Sequence, residues 1–337
     1  MIIISDCLKN NLDEGCIKVA STISKKLKKA GATVVAANCD CDYADYKIAA
    51  NKIYTNKELY KAISESNGDI LYIPFASNTL GSAVRTFNLA RKTGSKINVL
   101  FSLRWNMNFL TKWLLKASNC RVITISQESY EFFKKEMPGV PVHNVQVGVD
   151  TTKFTPVSDD QKRALKEKYG LPLDKTVVLH VGHLKHGRNI DVFLDIDDDT
   201  YAVLVFSAVT EKDLDLKREL EKKKNIKIIE EYVPNIEEIY QAADIYVFPI
   251  VAENNSIDVP LSVLEAAGSN CKIISTKYKE IAYFDDAEGF HRVSNEEINN
   301  LQSIIDEVSK ETNVNTSIIA EKYDWAKALN DLKEIIR

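Results

Sequence analysis

The sequence TVVLHVGHLKHGRNID, residues 176–191, joins a β-branched apolar run to a basic loop. The apolar run predicts a buried strand that ends at Gly182, and a helix is predicted to begin after the loop. The loop carries four basic or imidazole side chains, His183, Lys185, His186 and Arg188. Cations at the carboxyl end of a parallel strand suit a phosphate or pyrophosphate, but a solvated surface turn would carry the same residues.

The same strand–helix pattern extends on both sides of this stretch. Strands are predicted downstream at YAVLVFSA, IKIIEEYV, DIYVFPI and CKIISTK, and upstream at MIIIS, ATVVAAN, DILYIPF, INVLFSL and RVITIS. Helical segments lie between them, such as residues 14–31, which place apolar residues on one side and lysines on the other. The alternation predicts an α/β protein with two doubly wound parallel sheets, in which ligands bind at the carboxyl ends of the strands.

A break in the alternation predicts a domain boundary. Residues 142–161, VHNVQVGVDTTKFTPVSDDQ, contain turn residues and Pro156, and a charged helix follows. The chain of 337 residues is also too long for one ordinary core. We therefore expect an N-terminal Rossmann-like domain at 1–157, a linker at about 155–172 and a C-terminal domain at 172–322.

The two predicted domains differ in charge. Residues 1–157 contain 21 Lys and Arg against 13 Asp and Glu, a net +8, whereas the remainder contains 23 against 35, a net −12. Opposite charges indicate domains with different partners. A basic N-terminal half suits an anionic surface or substrate, although a solvated lysine face explains the charge equally well.

Several classes of protein are disfavoured. No apolar run reaches the roughly 18 residues of a membrane-spanning helix, and MIIISD predicts a first strand rather than a signal peptide. The six cysteines form no C-x-x-C pair, which favours reduced cysteines in a cytoplasmic protein over metal ligands. The G-x-G-x-x-G, P-loop and G-x-S-x-G patterns are missing, which disfavours dinucleotide-binding proteins, P-loop proteins and α/β-hydrolases.

A second candidate element is NNSIDVPLSVLEAAGSN, residues 254–270. Pro260 predicts a helix start, where the N–H groups of Leu261 and Ser262 would be unpaired and able to meet an anion. Glu265 lies one turn further, where a carboxylate can accept hydrogen bonds from two ribose hydroxyls. A surface glutamate favoured by the helix dipole is the alternative. The apolar neighbours favour a buried helix, on which a lone acid needs a partner.

Four ordered segments resemble a known family. They are NVQVGVDTTKFTP, VGHLKHGRNID, VPNIEEIYQAADIYVFPI and PLSVLEAAGSNCKIIST. Their order and spacing are similar to those of the retaining glycosyltransferases of family four, or glycosyl transferases group 1. The end of the chain, KYDWAKALNDLKEIIR, resembles the closing helix of that family. The resemblance covers residues 1–337 and is more specific in the C-terminal half.

The resemblance implies a GT-B fold, with two Rossmann-like domains that face a central cleft. The C-terminal domain would bind a nucleotide-diphospho-sugar, and the N-terminal domain would bind the acceptor, a glycan, lipid or lipid-linked glycan. The closing helix, about 323–337, would pack back on the N-terminal domain. The enzyme would be a hexosyltransferase that retains configuration and needs no metal or cofactor, because basic groups and helix N-termini stabilise the departing diphosphate. No nucleic-acid partner is expected.

The resemblance also implies roles for individual residues. Arg188 takes the place of the family's donor-phosphate lysine, and His183 that of its phosphate-binding arginine. Because histidine has a pKa of about 6.5, the His183 contact would be a neutral N–H hydrogen bond. Glu265 takes the place of the ribose-binding glutamate. The full donor-binding set is Gly15, His183, Arg188, Val233, Leu261, Ser262 and Glu265.

One departure from the family pattern concerns the donor sugar. Ile257 stands where the family usually has a glutamate that contacts this sugar. Two acids are near, and Asp258 is the predicted substitute ahead of Glu253. Asp258 and Arg188 are therefore the catalytic candidates.

A second departure lies in the N-terminal half. Many family members carry a histidine after the strand equivalent to INVLFSL, but His143 is the first histidine of this chain. Ser102 and Arg104 occupy that region and become the acceptor-side candidates. A nucleotide-sugar-binding protein with a weakened or inactive transferase site therefore stays an alternative. A nucleotide-sugar 2-epimerase is another, since it shares the architecture but uses cleft carboxylates and histidines.

The segment RWNMNFLTKWLLKASNCR, residues 104–121, mixes bulky apolar side chains with basic ones. Such a mixture is typical of a helix that lies in a membrane interface. An ordinary amphipathic helix packed on the N-terminal sheet has the same pattern. The first interpretation predicts a cytoplasmic protein in peripheral contact with the inner face of the membrane.

Overall fold

The computed structural model describes residues 1–12, 14–66, 68–207, 212–252 and 255–336. Contacts divide the chain into two units. Unit 1 comprises Met1–Val147 with Ala326–Arg337, and unit 2 comprises Gly148–Trp325. The division after Val147 precedes the predicted linker at 155–172, which lies inside unit 2 and forms a helix at Asp159–Lys168. No helix of the described ranges is long and apolar enough to cross a membrane.

Unit 1 contains a seven-stranded parallel sheet. Its strands are β1 Ile2–Ser5, β2 Thr33–Ala37, β3 Tyr46–Ile48, β4 Ile70–Ile73, β5 Ile97–Phe101, β6 Arg121–Thr124 and β7 Val142–Asn144. Their spatial order is β3-β2-β1-β4-β5-β6-β7. All residues of β1, β4 and β5 are buried, as expected for strands covered on both faces. The sequence predicted five of these strands but not β3 and β7, whose three residues each give little periodicity.

The unit 1 helices are α1 Gly15–Lys29, α2 Lys57–Ser66, α3 Leu80–Thr93, α4 Phe109–Ala117 and α5 Gln127–Glu136. Side chains cap three of them: Thr79, Asn108 and Ser126 each accept the third N–H of the helix that follows. These local signals fix where α3, α4 and α5 begin at the carboxyl edge of the sheet.

Unit 2 contains a six-stranded parallel sheet. Its strands are β8 Thr176–Gly182, β9 Thr200–Phe206, β10 Ile226–Ile229, β11 Ile245–Phe248, β12 Lys272–Thr276 and β13 Phe290–Val293. Their spatial order is β10-β9-β8-β11-β12-β13. The prediction of two doubly wound parallel sheets is therefore confirmed, and β13 is the strand of this sheet that the sequence did not predict.

The helices in the rest of the chain are α6 Asp159–Lys168, α7 Leu214–Glu221, α8 Ile236–Ala242, α9 Leu261–Gly268, α10 Leu301–Ser309, α11 Ser317–Lys322 and α12 Trp325–Ile336. Three short 3₁₀ helices occur at Ile190–Asp195, Lys279–Tyr283 and Glu297–Asn300. A helix follows the basic loop, as the sequence predicts, and it is the 3₁₀ helix Ile190–Asp195. Asn189 precedes it with φ +58°, a left-handed conformation that asparagine tolerates.

Each sheet has a topological switch point, where the order of its strands reverses. In unit 1 the chain runs outward from β1 to β2 and β3 and then crosses to β4 on the other side. In unit 2 the same reversal occurs between β8 and β11. We call these the first and second switch points. Ligands of open α/β sheets bind in the crevice outside the carboxyl ends of such strand pairs.

The two ends of unit 2 are joined to each other. Val149 and Asp324 form a parallel β-bridge, and the Val149 N–H donates to the Tyr323 carbonyl at 2.8 Å. The Thr151 hydroxyl donates to the Asp324 carboxylate at 2.7 Å. A Cβ at Gly148 would lie 1.8 Å from the Tyr323 carbonyl oxygen, so this crossing requires glycine.

Candidate functional site

Arg188 lies at the second switch point, in the loop after β8. It is 4% exposed, and its Nη1 donates to the Asn255 carbonyl at 2.8 Å. Its Nε is buried without a hydrogen-bond partner in the described part of the chain. Burial lowers the pKa of Arg188 to about 10, so the side chain remains positively charged at neutral pH. A buried cation with an unmet donor is an arrangement that favours an anionic ligand.

Two glycines make room for close contacts in this loop, Gly182 beside the guanidinium and Gly187 beside Asn255. A Cβ at Gly182 would lie 3.1 Å from Arg188 Nη2 and 2.9 Å from His180 Nε2. Gly187 has φ +81°, and its carbonyl accepts the Asn255 Nδ2 donor at 2.7 Å. Asn255 therefore fastens the loop after β8 to the loop after β11. The guanidinium is held between two strand ends rather than on a mobile surface turn.

Two histidines near Arg188, His180 and His183, are uncharged at neutral pH. Burial, together with the Arg188 and Lys185 charges, lowers the pKa of His183 to about 4. His180 is fully buried, and desolvation lowers its pKa to about 3. Its Nδ1 lies 2.9 Å from the Val247 carbonyl, which accepts only, so Nδ1 carries the proton. A phosphate contact by His183 would therefore start from a neutral ring, as the sequence predicts.

Helix α9 begins at the same edge. Pro260 is its N-cap with φ −67° and supplies no side-chain hydrogen bond, as the sequence predicted for the helix start. The first N–H groups, of Leu261 and Ser262, have no acceptor within a helix that starts there. The Ser262 side chain lies near the buried Tyr246 phenol, which donates to the Val181 carbonyl at 3.5 Å.

Glu265 is buried, as its apolar neighbours predict. It is 4% exposed, and its Oε2 accepts a hydrogen bond from the Tyr240 hydroxyl at 3.1 Å. Burial and the Glu265 charge raise the pKa of Tyr240 well above its usual value, so the phenol stays protonated and donates. The partner that the sequence required thus includes a tyrosine from α8. A carboxylate has about four acceptor sites, so this bond is compatible with a ribose contact.

Gly268, three residues after Glu265, lies where α9 passes close to the Phe154 segment. A Cβ there would lie 2.9 Å from the Phe154 carbonyl oxygen, and the Phe154 ring packs edge-on against Tyr240 with centroids 5.6 Å apart. The phenylalanine of the TTKFTP motif therefore supports the tyrosine that holds Glu265. Glycine lets α9 approach that segment closely enough for this packing.

Asp258 is committed to an ion pair. It is 1% exposed, and its Oδ1 lies 2.7 Å from Lys279 Nζ. Its backbone carbonyl accepts the Glu280 N–H, which ties the loop before α9 to the segment after β12. Removing either partner of a buried pair leaves an uncompensated charge, so this contact gives Asp258 a structural role. A donor-sugar contact by Asp258 stays a prediction. Ile257 is buried beside it, and Glu253 lies outside the described residues.

Other predicted site residues lie elsewhere. Val233 is half-buried between β10 and α8, and no hydrogen bond among the described residues joins it to Arg188 or Glu265. Gly15 opens α1 rather than lying in the preceding loop, and its role towards a donor stays a prediction. Gly15 belongs to unit 1 and Val233 to unit 2, and neither takes part in the contact between Arg188 and Asn255.

The acceptor-side candidates are less available than predicted. Ser102 follows β5 and is buried. Arg104 forms an ion pair with Glu128 and a 3.4 Å hydrogen bond with the Ser129 hydroxyl. The guanidinium therefore anchors the start of α5, and its charge is already compensated.

Sequence reasoning missed the residues that position the predicted ones. These are Tyr240 for Glu265, Asn255 for Arg188 and Lys279 for Asp258. Tyr240 lies in a segment that carried the family resemblance, so a pattern pointed to it. Asn255 belongs to a loop and Lys279 begins a short 3₁₀ helix, and neither segment has a periodicity that could have signalled these residues.

Comparisons with known proteins agree with this architecture. Residues 175–310 match the family model described as glycosyl transferases group 1, which covers most of unit 2. No curated protein sequence matches the chain. Among solved structures, a glycosyltransferase from Rickettsia africae ESF-5 has a TM-score of 0.75 at 14% identity, covering 99% of this chain and 97% of that one.

A second similar fold is that of Anabaena Alr3699/HepE. Its complex with UDP has a TM-score of 0.74 at 14% identity, with 99% of both chains covered. Its complex with UDP-glucose has a TM-score of 0.72 at 14% identity, covering 99% of this chain and 98% of that one. These neighbours establish the GT-B fold for the chain and confirm the predicted fold class.

Proposed function

We propose that this protein is a glycosyltransferase that binds a nucleotide-diphospho-sugar at the second switch point and transfers its sugar with retention of configuration. The observation that carries the proposal is the buried Arg188 guanidinium, which no carboxylate of the described residues neutralises. It lies at the carboxyl edge of the sheet, in the region that matches the group 1 family. Because the Anabaena structure contains UDP or UDP-glucose, UDP-sugars are the first donors to test.

The chemistry follows from the charge that develops during transfer. The bond between the sugar C1 and a diphosphate oxygen breaks, and negative charge grows on that oxygen. Arg188 stabilises the charge in a low-dielectric setting, where a fixed cation acts strongly. The N–H groups of Leu261 and Ser262 and the neutral His183 ring would add hydrogen bonds to the same diphosphate. The acceptor hydroxyl forms the new bond to C1, and its proton would pass to the departing diphosphate oxygen.

Glu265 would hold the nucleotide rather than the reacting atoms. Its carboxylate would accept the ribose hydroxyls, while Tyr240 fixes its orientation through the 3.1 Å hydrogen bond. We expect turnover without an added metal, because the arginine and the helix start supply the positive charge. Full activity in the presence of EDTA is the corresponding measurement.

Titration calorimetry with nucleotides tests the donor site. The ligands are UDP, UDP-glucose and the GDP-, ADP- and dTDP-sugars. We expect the wild type to bind the nucleotides of one base. The nucleoside diphosphate of that base should bind Arg188→Ala at least tenfold more weakly than it binds the wild type. The matched control is Arg218→Ala, on α7, where the side chain is 69% exposed. Equal diphosphate affinity in Arg188→Ala and the wild type would contradict the proposed site.

We also propose that unit 1 contacts an anionic membrane through α4, where a lipid or lipid-linked acceptor would be met. Phe109 is 81% exposed and Trp113 is 50% exposed on this helix, while Leu114 and Leu115 face the core. A cavity of about 290 Å³ lies nearby between α3 and α4, and its lining includes Arg91 and Lys96. Exposed aromatic residues beside basic groups fit the boundary of an anionic bilayer.

Vesicle co-sedimentation tests this contact. The protein is incubated with vesicles of phosphatidylcholine alone or with 30% phosphatidylglycerol, at about 50 mM salt to limit screening. We expect binding to the anionic vesicles only, reduced several-fold in Phe109→Ser/Trp113→Ser. The matched control is Tyr283→Ser, an exposed aromatic residue of unit 2. No sedimentation with anionic vesicles would reject the membrane contact and leave the donor site untouched.

A further inference from the structure

The first switch point also carries a polar cluster, which the roles proposed so far do not use. Asp6 comes directly after β1, and Phe75 lies in the loop after β4. The Phe75 N–H donates to Asp6 Oδ1 at 2.7 Å, so the two strand ends are joined across the switch point. The other oxygen, Asp6 Oδ2, forms an ion pair with Arg85 of α3. The side chains of this pair remain 13% and 20% exposed, so a ligand can reach them.

A strained tyrosine lies against the same arginine. Tyr54 is fully buried at φ +56°, a conformation that is unusual for an aromatic residue. The Arg85 guanidinium carbon is 5.0 Å from the centre of its ring. The Tyr54 hydroxyl is buried without a hydrogen-bond partner within the described ranges. Strain and an unmet polar group persist where surrounding structure imposes them, and they cluster at functional sites.

The loop that carries Tyr54 is fixed by α3. Arg85 Nε donates to the Lys52 carbonyl at 3.0 Å, and Asn88 Nδ2 donates to the Ile53 carbonyl at 2.7 Å. One arginine thus holds both the aspartate at the strand end and the strained loop. The cluster is a preorganised wall of the crevice rather than a chance surface pair.

The charge of this cluster selects a class of ligand. Asp6 neutralises Arg85, so the pair offers acceptor oxygens and N–H donors without net charge. Phe75, 50% exposed, adds an aromatic ring at the rim. An uncharged sugar has hydroxyls that match the pair and a C–H face that packs on an aromatic ring, whose face is electron-rich. A phosphate would gain little here, because the aspartate repels it.

We infer that the first switch point binds an uncharged sugar unit of the acceptor, with Asp6 and Arg85 on its hydroxyls and Phe75 on its apolar face. The inference rests on the proposed glycosyltransferase function. It moves the acceptor contact away from Arg104, whose charge is engaged by Glu128. Phe75 and Asp6 would be specificity-determining residues for the acceptor.

Saturation-transfer NMR with neutral glycosides tests the inference on the whole chain. The probes are methyl α- and β-glycosides of glucose, galactose and mannose at millimolar concentration, with UDP as the second ligand. We expect transfer to at least one glycoside on the wild type, reduced at least fivefold in Phe75→Ala and in Asp6→Asn. The controls Phe109→Ala and Asp40→Asn change an exposed aromatic residue and an exposed ion pair of the same unit. UDP affinity should be equal in all five proteins.

The outcomes separate the two proposals. Unchanged glycoside signal in Phe75→Ala, which is a rim substitution that should not unfold the protein, overturns the inference. So does the lack of any glycoside signal on wild-type protein that binds UDP, a result that leaves the donor site standing. Tenfold tighter binding of glucose 1-phosphate than of methyl glucoside at this cluster overturns the uncharged class. Glycoside binding without binding of any nucleotide-sugar would instead reject the proposed function.

Discussion

Each switch point carries an arginine, and the two arginines differ in whether a carboxylate neutralises the positive charge. Arg85 at the first is partly exposed and paired with Asp6, whereas Arg188 at the second is buried and bonded to a backbone carbonyl. Both arginines lie beside the carboxyl ends of the two strands where the order reverses. The two proposed sites therefore share a place in the topology and differ in one carboxylate, which would set whether the ligand is uncharged or anionic.

Filling the space beside Arg188 should have the largest effect. In Gly182→Ala the added Cβ would lie 2.9 Å from His180 Nε2 and 3.1 Å from Arg188 Nη2, so the His180 ring must shift and the guanidinium must yield by a few tenths of an ångström. We expect UDP affinity to fall at least thirtyfold, which corresponds to about 2 kcal/mol. Calorimetry measures it, and Gly81→Ala, whose Cβ meets only a distant contact in α3, is the control. Unaltered UDP affinity would show that the close packing is not needed.

The second switch point should also impose a pH dependence on stability. Burial lowers the pKa of His180 to about 3, below its unfolded value of about 6.5, so the folded state binds fewer protons between these values. The contribution is fully present above pH 6.5 and is lost as the pH falls towards 3. At pH 5 the loss is about 2 kcal/mol.

Urea unfolding at pH 7.5 and pH 5 measures this loss. His180→Asn keeps an N–H for the Val247 carbonyl but removes the titrating ring. Between pH 7.5 and pH 5, its free energy of unfolding should therefore decrease by about 2 kcal/mol less than that of the wild type. His291→Asn, at a partly exposed contact with the Glu311 carboxylate, is the control. The same decrease in His180→Asn and the wild type would contradict the buried neutral ring.

Unpairing the first switch point should affect stability and not nucleotide binding. Arg85→Met keeps the side-chain length but leaves Asp6 without its cation and Tyr54 without its cation–π contact. We expect the free energy of unfolding to fall by about 1 to 2 kcal/mol, between the values for exposed and buried pairs. UDP affinity should stay within twofold of the wild type. A tenfold loss of UDP affinity would mean that the two arginines serve one ligand, which would break the comparison.

The smallest effect concerns the ribose. Wild-type protein should bind UDP more tightly than 2′-deoxy-UDP, since Glu265 would accept the 2′-hydroxyl. Glu265→Ala should weaken UDP binding by more than about 1 kcal/mol and erase that preference. Tyr240→Phe should reduce the preference partly, because the carboxylate loses its positioning bond. An equal preference in the wild type and Glu265→Ala would rule out the ribose role.

The sequence predicted what local patterns encode. The apolar runs of β1 and β8 indicate buried parallel strands, and Pro260 marks the start of α9, because these signals lie within a few residues. The Asp6–Arg85 pair joins residues 79 positions apart, and Tyr240 lies 25 positions from Glu265. Such partners depend on which strand ends meet in the folded sheet. The positive φ of Tyr54 is likewise imposed by tertiary contacts, since no local preference of tyrosine favours it.

The β-bridge between Val149 and Asp324 joins the two ends of unit 2, so unit 2 is an excursion of the chain that begins and ends at the same place. The polypeptide leaves unit 1 after Val147 and rejoins it at Ala326, and the two crossings lie side by side. The entropy of closing a loop grows only with the logarithm of its length, so the interior of such an excursion can be exchanged or enlarged at little cost to its closure. Unit 2 can therefore be exchanged or enlarged as one continuous segment of the chain. Under the proposed function, the donor preference would change in this way while the proposed acceptor site in unit 1 keeps its own sequence.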